Sequence, residues 1–327
     1  MSEPVSGSPR AVAEAREREA VNRFGREALA VDATTRKIRV RRFAGPARFA
    51  EGRRPLRVAH LTDLHVGRVT PLSIHEAAVA LTNAERPDLV VITGDFVCHS
   101  QDYLDALTAI VRGFDAPVLA TLGNHDHWSG GPEVRAALER GGAEVLSNVN
   151  TVLDLGGERL QVVGLDDAYT SHADRARATR GLDPRLPTLG LSHIAEEADG
   201  LWHAGVGLVL AGHTHAGQVT LAGLHELALG RVAGHRYVHG LYGTRRDPAP
   251  LGALYVGAGL GAAVMPLRLG ERGQREITLF ELGAPLGSVD EDHAEQAPLP
   301  GRPPSEETKR ARVAAVEKKR ARRTRGG

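Results

Sequence analysis

Short apolar runs, each ended by polar residues, recur along the central part of the chain. Runs of this kind are typical of strands that are buried on both faces of a sheet. Helix-like stretches separate several of them, and this alternation of strand, loop and helix indicates a layered α/β domain. We therefore predict strands over Leu56–His60, Leu89–Thr93, Val118–Leu122, Thr188–Ser192 and Leu208–Ala211.

Three stretches among these runs predict helices. Ser73–Glu85 and Asp102–Val111 carry apolar residues at helical spacing on one face. Pro132–Glu139 begins with a proline, which favours the first turn of a helix, and Gly141-Gly142 follows it, which favours a helix end.

The rhythm changes after the third predicted helix. Val152–Leu155 and Leu160–Leu165 flank Gly156-Gly157, which predicts an antiparallel hairpin. We interpret this hairpin as the start of a second half-sheet. We expect Leu254–Val256 and Ile277–Leu282 to be later strands of that same half.

Residues 1–54 are interpreted as an N-terminal extension to a main domain at 55–283. Residues 1–10 are rich in Ser, Pro and Gly and are expected to be disordered. Ala11–Phe24 predicts a helix with a sparse apolar stripe, which we interpret as a solvated helix packed on its own protein rather than a partner-binding one. Lys37–Phe43 mixes apolar residues with Arg, which predicts an edge strand whose basic face is in water.

Residues 284–327 are interpreted as a Pro-rich linker followed by a basic tail. Arg302–Gly327 carries ten Lys and Arg against three Glu, a net charge of 10 − 3 = +7. Two interpretations of this tail stand side by side. It is either a solubilising disordered segment or an electrostatic arm for anionic lipid or nucleic acid.

Composition excludes several classes of protein. The 327 residues carry a formal net charge of +1, so a strong attraction to nucleic acid would have to be local. A single cysteine, Cys98, excludes an intramolecular disulfide and a four-thiolate zinc site. No apolar run reaches the roughly 20 residues that span a bilayer, and the start of the chain lacks a signal pattern. We therefore expect a cytoplasmic protein without a transmembrane segment.

Metal-ligating residue types follow each of the five predicted strands, at the edge where open α/β sheets place their sites. After the first strand, Asp63 and His65 are two residues apart and would share a face of an extended chain. Carboxylate, imidazole and amide ligands suit Mn, Fe or Zn, and their number suits two divalent ions rather than one tetrahedral ion. The blocks that follow the strands are Asp63-Leu64-His65, Gly94-Asp95, Gly123-Asn124-His125-Asp126, His193 and Gly212-His213-Thr214-His215.

In kind, order and spacing these five blocks resemble the motifs of the calcineurin-like metallophosphoesterases, over roughly Leu56 to Leu282. The resemblance implies a four-layer α/β/β/α sandwich of two packed mixed sheets, with the catalytic domain at 55–283. Leu-Thr-Asp-Leu-His-Val-Gly and His-Thr-His-Ala-Gly-Gln further resemble the bacterial phosphodiesterase branch that includes UDP-diacylglucosamine hydrolases.

The resemblance also implies roles for individual residues. One metal ion would be bound by Asp63, His65, Asp95 and His215. The second would be bound by Asp95, Asn124, His193 and His213, with Asp95 bridging the pair. His125 would act on the phosphate rather than on a metal, and a hydroxide shared by both ions would attack phosphorus in line.

The chain departs from related enzymes at several places. Where the serine/threonine protein phosphatases have a second Asp and an Arg, this chain has Cys98 and His99. The missing Arg lowers the expectation of a doubly charged phosphomonoester, and a diester fits better. Ala216 stands where relatives often have Gly, and Ala does not easily take positive φ, so the local turn is expected to differ.

These residues predict a phosphodiesterase acting on a nucleotide-linked or lipid-linked phosphoester. A nuclease that uses the basic tail and a non-catalytic scaffold of the same fold are the alternatives. Three features carry weaker expectations: His127, His235 and His239 could line a substrate pocket, Asp166-Asp167 is expected to cap, and Cys98 to be a buried apolar residue. Gly259–Leu267 is expected to be a buried loop, with an exposed membrane-contacting loop as the alternative.

Overall fold

The computed structural model describes residues 37–46, 49, 54–217, 234–246, 252–262, 268 and 270–301, with the single residues 307, 310 and 314. The predictions made for residues 1–10 and for Ala11–Phe24 lie outside these ranges, as does nearly all of the basic tail. They stay predictions.

Twelve strands and five α-helices organise the described residues. The strands are β1 Ile38–Ala44, β2 Leu56–Leu61, β3 Leu89–Thr93, β4 Val118–Thr121, β5 Ala143–Val145, β6 Val149–Leu155, β7 Glu158–Gly164, β8 Thr188–Leu191, β9 Leu208–Ala211, β10 Gly240–Gly243, β11 Ala253–Val256 and β12 Arg275–Leu282. The helices are α1 Leu72–Ala84, α2 Leu104–Arg112, α3 Asn124–Arg140, α4 Arg175–Ala178 and α5 Ala198–His203.

The strands form two six-stranded sheets. The first has the order β1-β12-β2-β3-β4-β5 and the second the order β10-β11-β9-β8-β7-β6. Both are mixed, because β12 runs antiparallel to β2 in the first sheet and β10 antiparallel to β11 in the second. The expected fold class, two packed mixed sheets in an α/β protein, is therefore confirmed.

Both faces of the central strands are buried, which explains why they read as continuous apolar runs. In β3, Leu89 and Val91 face the core between the two sheets, whereas Val90 and Ile92 face the core beneath α1–α3. The second sheet repeats the arrangement, with its outer core packed against α5. Side chains two apart in a strand share a face, so each strand contributes to two layers. The layer order is thus α/β/β/α.

The hairpin prediction is confirmed, because β6 and β7 pair antiparallel across Gly156-Gly157. The placement of Ile277–Leu282 in the second half-sheet is wrong. This segment forms β12, which lies in the first sheet between β1 and β2. Nearly all of β12 is buried, as a strand with neighbours on both sides requires. The apolar pattern shows that a strand is buried but does not identify its partners.

The predicted edge strand at Lys37–Phe43 is confirmed as β1, at the edge of the first sheet. The expectation that its basic face is in water is wrong for Arg41, which is fully buried. The Arg41 Nε lies 2.5 Å from Glu276 Oε2, so the guanidinium is paired inside the protein. An Arg in an edge strand can therefore be buried in the core when a buried carboxylate pairs with it.

The third helix begins earlier than predicted. Helix α3 starts at Asn124 and breaks at Gly130, which has φ 119°. Pro132 then lies just inside the second portion, where the absence of its N–H is tolerated. The early start matters because it places Asn124 and His125 in the first turn of a helix.

The segment after β12 packs against the domain. Glu291 and Glu295 both lie within ion-pair distance of Arg245, at 2.7 Å and 3.2 Å. Asp292 pairs with Arg39 at 2.6 Å, and the Gln296 N–H donates to the Leu241 carbonyl at 2.8 Å. The interpretation of residues 284–300 as a linker is therefore wrong, because acidic side chains hold the segment against basic ones.

The loop after β11 is buried where the structure describes it. Leu260 and Ala262 have no solvent exposure, and the Leu260 and Gly261 N–H groups donate to the carbonyls of Thr62 and Asp63. The buried-loop interpretation is confirmed for residues 259–262, and residues 263–267 lie outside the described ranges. Among the described residues, no helix is both long enough and apolar enough to cross a bilayer.

Candidate metal centre

The loops after β2 and β3 pair with each other and turn sharply. The Asp63 N–H donates to the Gly94 carbonyl, and the His65 N–H to the Asp95 carbonyl. Asp63, His65 and Asp95 have φ values of 50°, 43° and 55°. The predicted proximity of Asp63 and His65 holds, but left-handed turns produce it rather than an extended strand. Left-handed conformation outside glycine is unfavourable and concentrates at functional sites.

The first group of donors contains Asp63, His65, Asp95 and His215, whose ligand atoms all lie within 4.8 Å of one another. The Nε2 atoms of His65 and His215 are 3.0 Å apart. His215 Nε2 lies 3.3 Å from Asp63 Oδ1, and His65 Nε2 lies 3.6 Å from Asp95 Oδ2. This is the spacing of donors that surround one cation.

The second group shares Asp95 with the first. It contains Asp95, His193 and His213, again within 4.8 Å. His193 Nε2 lies 3.4 Å from Asp95 Oδ2, 3.3 Å from His213 Nδ1 and 3.2 Å from Asn124 Oδ1. All seven residues proposed as ligands from the sequence are thus brought to one place, from the ends of five strands.

The hydrogen bonding of these donors fits a cation. His193 Nδ1 lies 2.8 Å from the Thr93 carbonyl, which only accepts, so Nδ1 carries the proton. In the neutral imidazole, Nε2 then presents a lone pair to the oxygen of Asn124 and the carboxylate of Asp95. Asp63 Oδ1 is buried and has no hydrogen-bond partner among the described residues. When His193 is neutral, these lone pairs converge on one point, where a metal ion would satisfy them.

Electrostatics gives the same indication. Burial lowers the pKa of His65 well below its usual value and lowers that of His215 to about 3, so both imidazoles are neutral at physiological pH and could act as ligands. Burial also disfavours the charged form of His193, but the Asp95 carboxylate outweighs it and raises the pKa of His193 to about 10. The buried carboxylates thus create a strong preference for positive charge, which divalent ions would satisfy.

His125 lies beside the two groups rather than within them. Its backbone N–H donates to Asp95 Oδ1 at 2.8 Å, and its ring Nε2 is 4.0 Å from Asp95 Oδ2. The side chain is 13% exposed, whereas His65 and His193 are fully buried. His125 therefore stands at the solvent side of the donors, where a substrate would arrive.

Glycines allow these loops to approach closely. A Cβ on Gly123 would lie 2.4 Å from Asp95 Oδ1, and a Cβ on Gly212 would lie 2.4 Å from Asp63 Oδ2. Both distances are too short for any side chain. Only glycine therefore fits at positions 123 and 212, because the carboxylates of Asp95 and Asp63 lie where a side chain would begin.

Asp126 lies beside the donors and was given no role by the sequence reasoning. It is fully buried, and its carboxylate accepts from the N–H groups of Gly123, Phe96 and Val97. It therefore ties the start of α3 to the loop that carries Asp95. Its position three residues after the N-cap Gly123 is the signal that could have identified it, since acidic side chains there close a capping box.

Two aromatic residues at the site were also missed. Trp128 lies with its ring centroid 4.8 Å from that of His125, and Tyr169 lies 5.2 Å from His213. His99, noted above only as a departure, stacks on Trp128 at 5.9 Å and 10°. Nothing in the hydrophobic pattern marks these rings, because they belong to loops or to the first turns of a helix.

The weaker expectations have mixed outcomes. His127 pairs with Asp166 at 2.8 Å and stacks on His172, so it belongs to a polar network beside the site. His239 is buried against Glu276, which contradicts a pocket-lining role, whereas His235 lies 5.5 Å from the His213 ring.

Two expectations near the metal donors are corrected. Cys98 is partly exposed rather than buried, and it lies in a third donor group with His65 and His125. Alanine was expected to avoid positive φ at position 216, but Ala216 has a φ of 52°. The turn therefore forms without glycine.

Comparisons with known proteins agree with this geometry. Residues 56–217 match the family profile of the calcineurin-like phosphoesterases. The chain is 30% identical over 244 residues to the phosphodiesterase YaeI of Escherichia coli, which covers 72% of this chain and 84% of YaeI. It is 30% identical over 232 residues to an uncharacterized metallophosphoesterase, YkuE of Bacillus subtilis, with 69% and 78% covered.

Among solved structures, a dimetal phosphatase from Danio rerio covers 65% of this chain and 90% of its own, with 12% identity and a TM-score of 0.43. That similarity is too low to indicate function. The family profile and the length of the YaeI match are decisive, and the seven donors occupy the ends of the strands that the profile spans. This chain belongs to the calcineurin-like phosphoesterase family.

Proposed function

We propose that this protein is a dinuclear metal-dependent phosphodiesterase. It would bind two divalent ions, chosen from Mn, Fe and Zn by its oxygen and imidazole donors. Its substrate would be a small-molecule or lipid-linked phosphoester. The name of YaeI, a phosphodiesterase at 30% identity, supports this choice over a phosphomonoesterase.

One observation carries the proposal. The two donor groups described above share a single carboxylate, Asp95. Asp63, His65 and His215 would complete the first site, and Asn124, His193 and His213 the second. A shared carboxylate is what holds two cations at the separation of about 3.5–4 Å that is usual in phosphoryl chemistry.

Two divalent ions supply a water of lowered pKa and neutralise charge on the phosphate. The chain's own residues do the rest. The Asp126 carboxylate fixes the start of α3 and so the direction of Asn124 and His125. His125 Nε2, partly exposed beside Asp95, would give a proton to the leaving oxygen.

The surroundings support a diester. Arg268 lies near the first group, with Nη2 3.4 Å from His215 Nδ1. Its guanidinium, however, is already engaged by the carbonyls of Ala258, Gly261 and Gly273. It is therefore not presented as a bidentate partner for a phosphate. A diester carries one charge fewer than a monoester and requires less of such help.

The test measures metal content and hydrolysis together. Wild-type protein reconstituted with Mn²⁺ should hydrolyse bis-para-nitrophenyl phosphate faster than para-nitrophenyl phosphate. The Asp95→Asn variant should lose activity by more than the roughly 10–100-fold typical of residues that only support a ligand. Asp105→Asn, at a fully exposed carboxylate, is the matched control and should change nothing. Full activity in Asp95→Asn would contradict the proposal.

A further inference from the structure

Among the described donors and His125, solvent exposure is confined to three histidines, His125, His213 and His215. His65 and His193 have fully buried side chains, whereas those of His125 and His215 are each 13% exposed. His213 is also partly exposed. A substrate would therefore reach the donors past His125, at the start of α3, and past His213 and His215, after β9.

Aromatic rings lie beside these histidines. The Trp128 ring lies 4.8 Å from His125, and the Tyr169 ring lies 5.2 Å from His213. Trp128 and Tyr169 are themselves in edge-to-face contact at 6.0 Å and 79°. Together the four rings form a continuous arch from one exposed histidine to the other.

Two more rings extend the arch at its ends. His99 lies 4.3 Å from His125 and nearly parallel to the Trp128 ring, at 10°. His235 contacts His213 at 5.5 Å. Six rings thus lie in one continuous series of contacts beside the exposed donors.

Core packing does not explain these rings. Aromatic residues make up only 4% of the chain, and every described Phe is buried. The partly exposed Trp and Tyr among the described residues are Tyr103, Trp128 and Tyr169. Tyr103 packs against the core beneath α1–α3, whereas Trp128 and Tyr169 belong to none of the three apolar cores. Two large, partly exposed rings therefore lie against the exposed histidines of the site.

We propose that Trp128 and Tyr169, extended by His99, form a subsite that stacks on a planar ring of the substrate, most simply the base of a nucleoside phosphodiester. This inference rests on the proposed function, since it names the group attached to the phosphate. Every base has a π face, so an aromatic arch accepts it without requiring particular hydrogen bonds. An acyl chain presents no π face to such an arch and would gain only from the loss of exposed apolar area.

The two tryptophans of the chain allow a direct binding test. Trp202 is 8% exposed and lies in the core of the second sheet, so Trp202→Phe leaves Trp128 as the only tryptophan. This variant, loaded with diamagnetic Zn²⁺, is titrated with uridine 5′-monophosphate and with ribose 5-phosphate while tryptophan fluorescence is followed. The two ligands share a phosphate and a sugar and differ in the base.

The base should quench the fluorescence of Trp128 and tighten binding by about tenfold, as stacking of a base on an aromatic ring does. Ribose 5-phosphate should bind more weakly and without quenching. In calorimetric titrations, Trp128→Leu should reduce nucleotide affinity to that of ribose 5-phosphate, and Trp128→Phe should restore most of it. Equal affinities of the two ligands, or an equal loss for both in Trp128→Leu, would overturn the subsite.

Octyl phosphate, included in the same titrations, tests whether the subsite instead binds an aliphatic chain. Tighter binding of octyl phosphate than of the nucleotide would also overturn the inference, in favour of an aliphatic group. The outcome is separable from that of the proposed function. Base-dependent binding without hydrolysis of any diester would contradict the proposed phosphodiesterase activity and support the base-stacking subsite. Hydrolysis of diesters without a preference for a base would support the activity and contradict the subsite.

Discussion

Replacing Glu276 by Gln should destabilise the protein strongly, although Glu276 is not proposed to bind metal or substrate. Its carboxylate is 2% exposed and lies inside the protein at the start of β12. Arg41 Nε lies 2.5 Å from it, His239 Nε2 3.1 Å and the Tyr255 hydroxyl 2.8 Å. The Ala258 N–H donates to it at 2.9 Å. Four donors therefore depend on one buried charge.

The expected loss follows from what the substitution leaves behind. Gln keeps the shape but removes the negative charge, so the Arg41 guanidinium remains buried without a counter-charge. Breaking a buried pair in this way typically costs about 3–5 kcal/mol. Because Ala258 leads into Gly261, whose N–H donates to the Asp63 carbonyl at 2.7 Å, a weaker metal affinity should accompany the loss.

Urea unfolding followed by circular dichroism measures the loss. Glu139→Gln is the matched control, because Glu139 pairs with Arg135 on an exposed helix surface and such pairs contribute about 0.5 kcal/mol or less. The double variant Arg41→Met/Glu276→Gln should recover part of the stability lost by the single variant, since it removes the unpaired charge. A loss in Glu276→Gln no larger than that of the control would refute the reasoning.

The same network predicts a dependence on acid. Burial by itself raises the pKa of Glu276, but His239 and Arg41 outweigh it and hold the pKa well below the usual 4.5. For a depressed carboxyl pKa, the stabilisation is complete above the unfolded-state value and is lost as pH falls towards the folded-state value. The stability difference between wild type and Glu276→Gln should therefore shrink below about pH 4.5. A constant difference across that range would contradict the assignment.

Three further predictions concern the metal centre. Gly123→Ala should lose metal and activity together, because the new Cβ would lie 2.4 Å from Asp95 Oδ1 although φ −109° permits alanine; elemental analysis showing full metal content would be inconsistent with this. His125→Ala should lower kcat by about 10²–10⁴ with metal content unchanged, and loss of metal instead would make His125 a ligand. Removal of metal with a chelator should abolish hydrolysis and lower the Tm, and added Mn²⁺ or Zn²⁺ should restore both; an unchanged Tm would argue against a site formed by buried ligands.

The sequence alone predicts the strands that are buried on both faces. Runs such as Leu89–Thr93 and Leu208–Ala211 are strands with the predicted bounds, because a doubly buried strand must be apolar throughout. The ligand residues at their ends could be proposed for a related reason. A carboxylate or imidazole at the end of such a strand needs a partner. Several of these groups at one edge of a sheet can share a metal ion as that partner.

Other features depend on tertiary partners that a single sequence does not reveal. The pattern of β12 shows a buried strand but not the sheet that receives it. Arg41 reads as a surface residue until Glu276 is placed beside it. Trp128 and Tyr169 follow no periodicity, since the start of α3 and the loop after β7 bring them together from positions 41 residues apart. Left-handed residues such as Ala216 likewise escape prediction, because surrounding contacts impose a conformation that alanine disfavours.

The most direct test of the central claim is anomalous diffraction from crystals of the protein grown with Mn²⁺ or Zn²⁺. The account predicts two peaks about 3.5–4 Å apart on either side of the Asp95 carboxylate. One peak should lie against Asp63, His65 and His215, and the other against Asn124, His193 and His213. A single peak, or peaks away from Asp95, would contradict it.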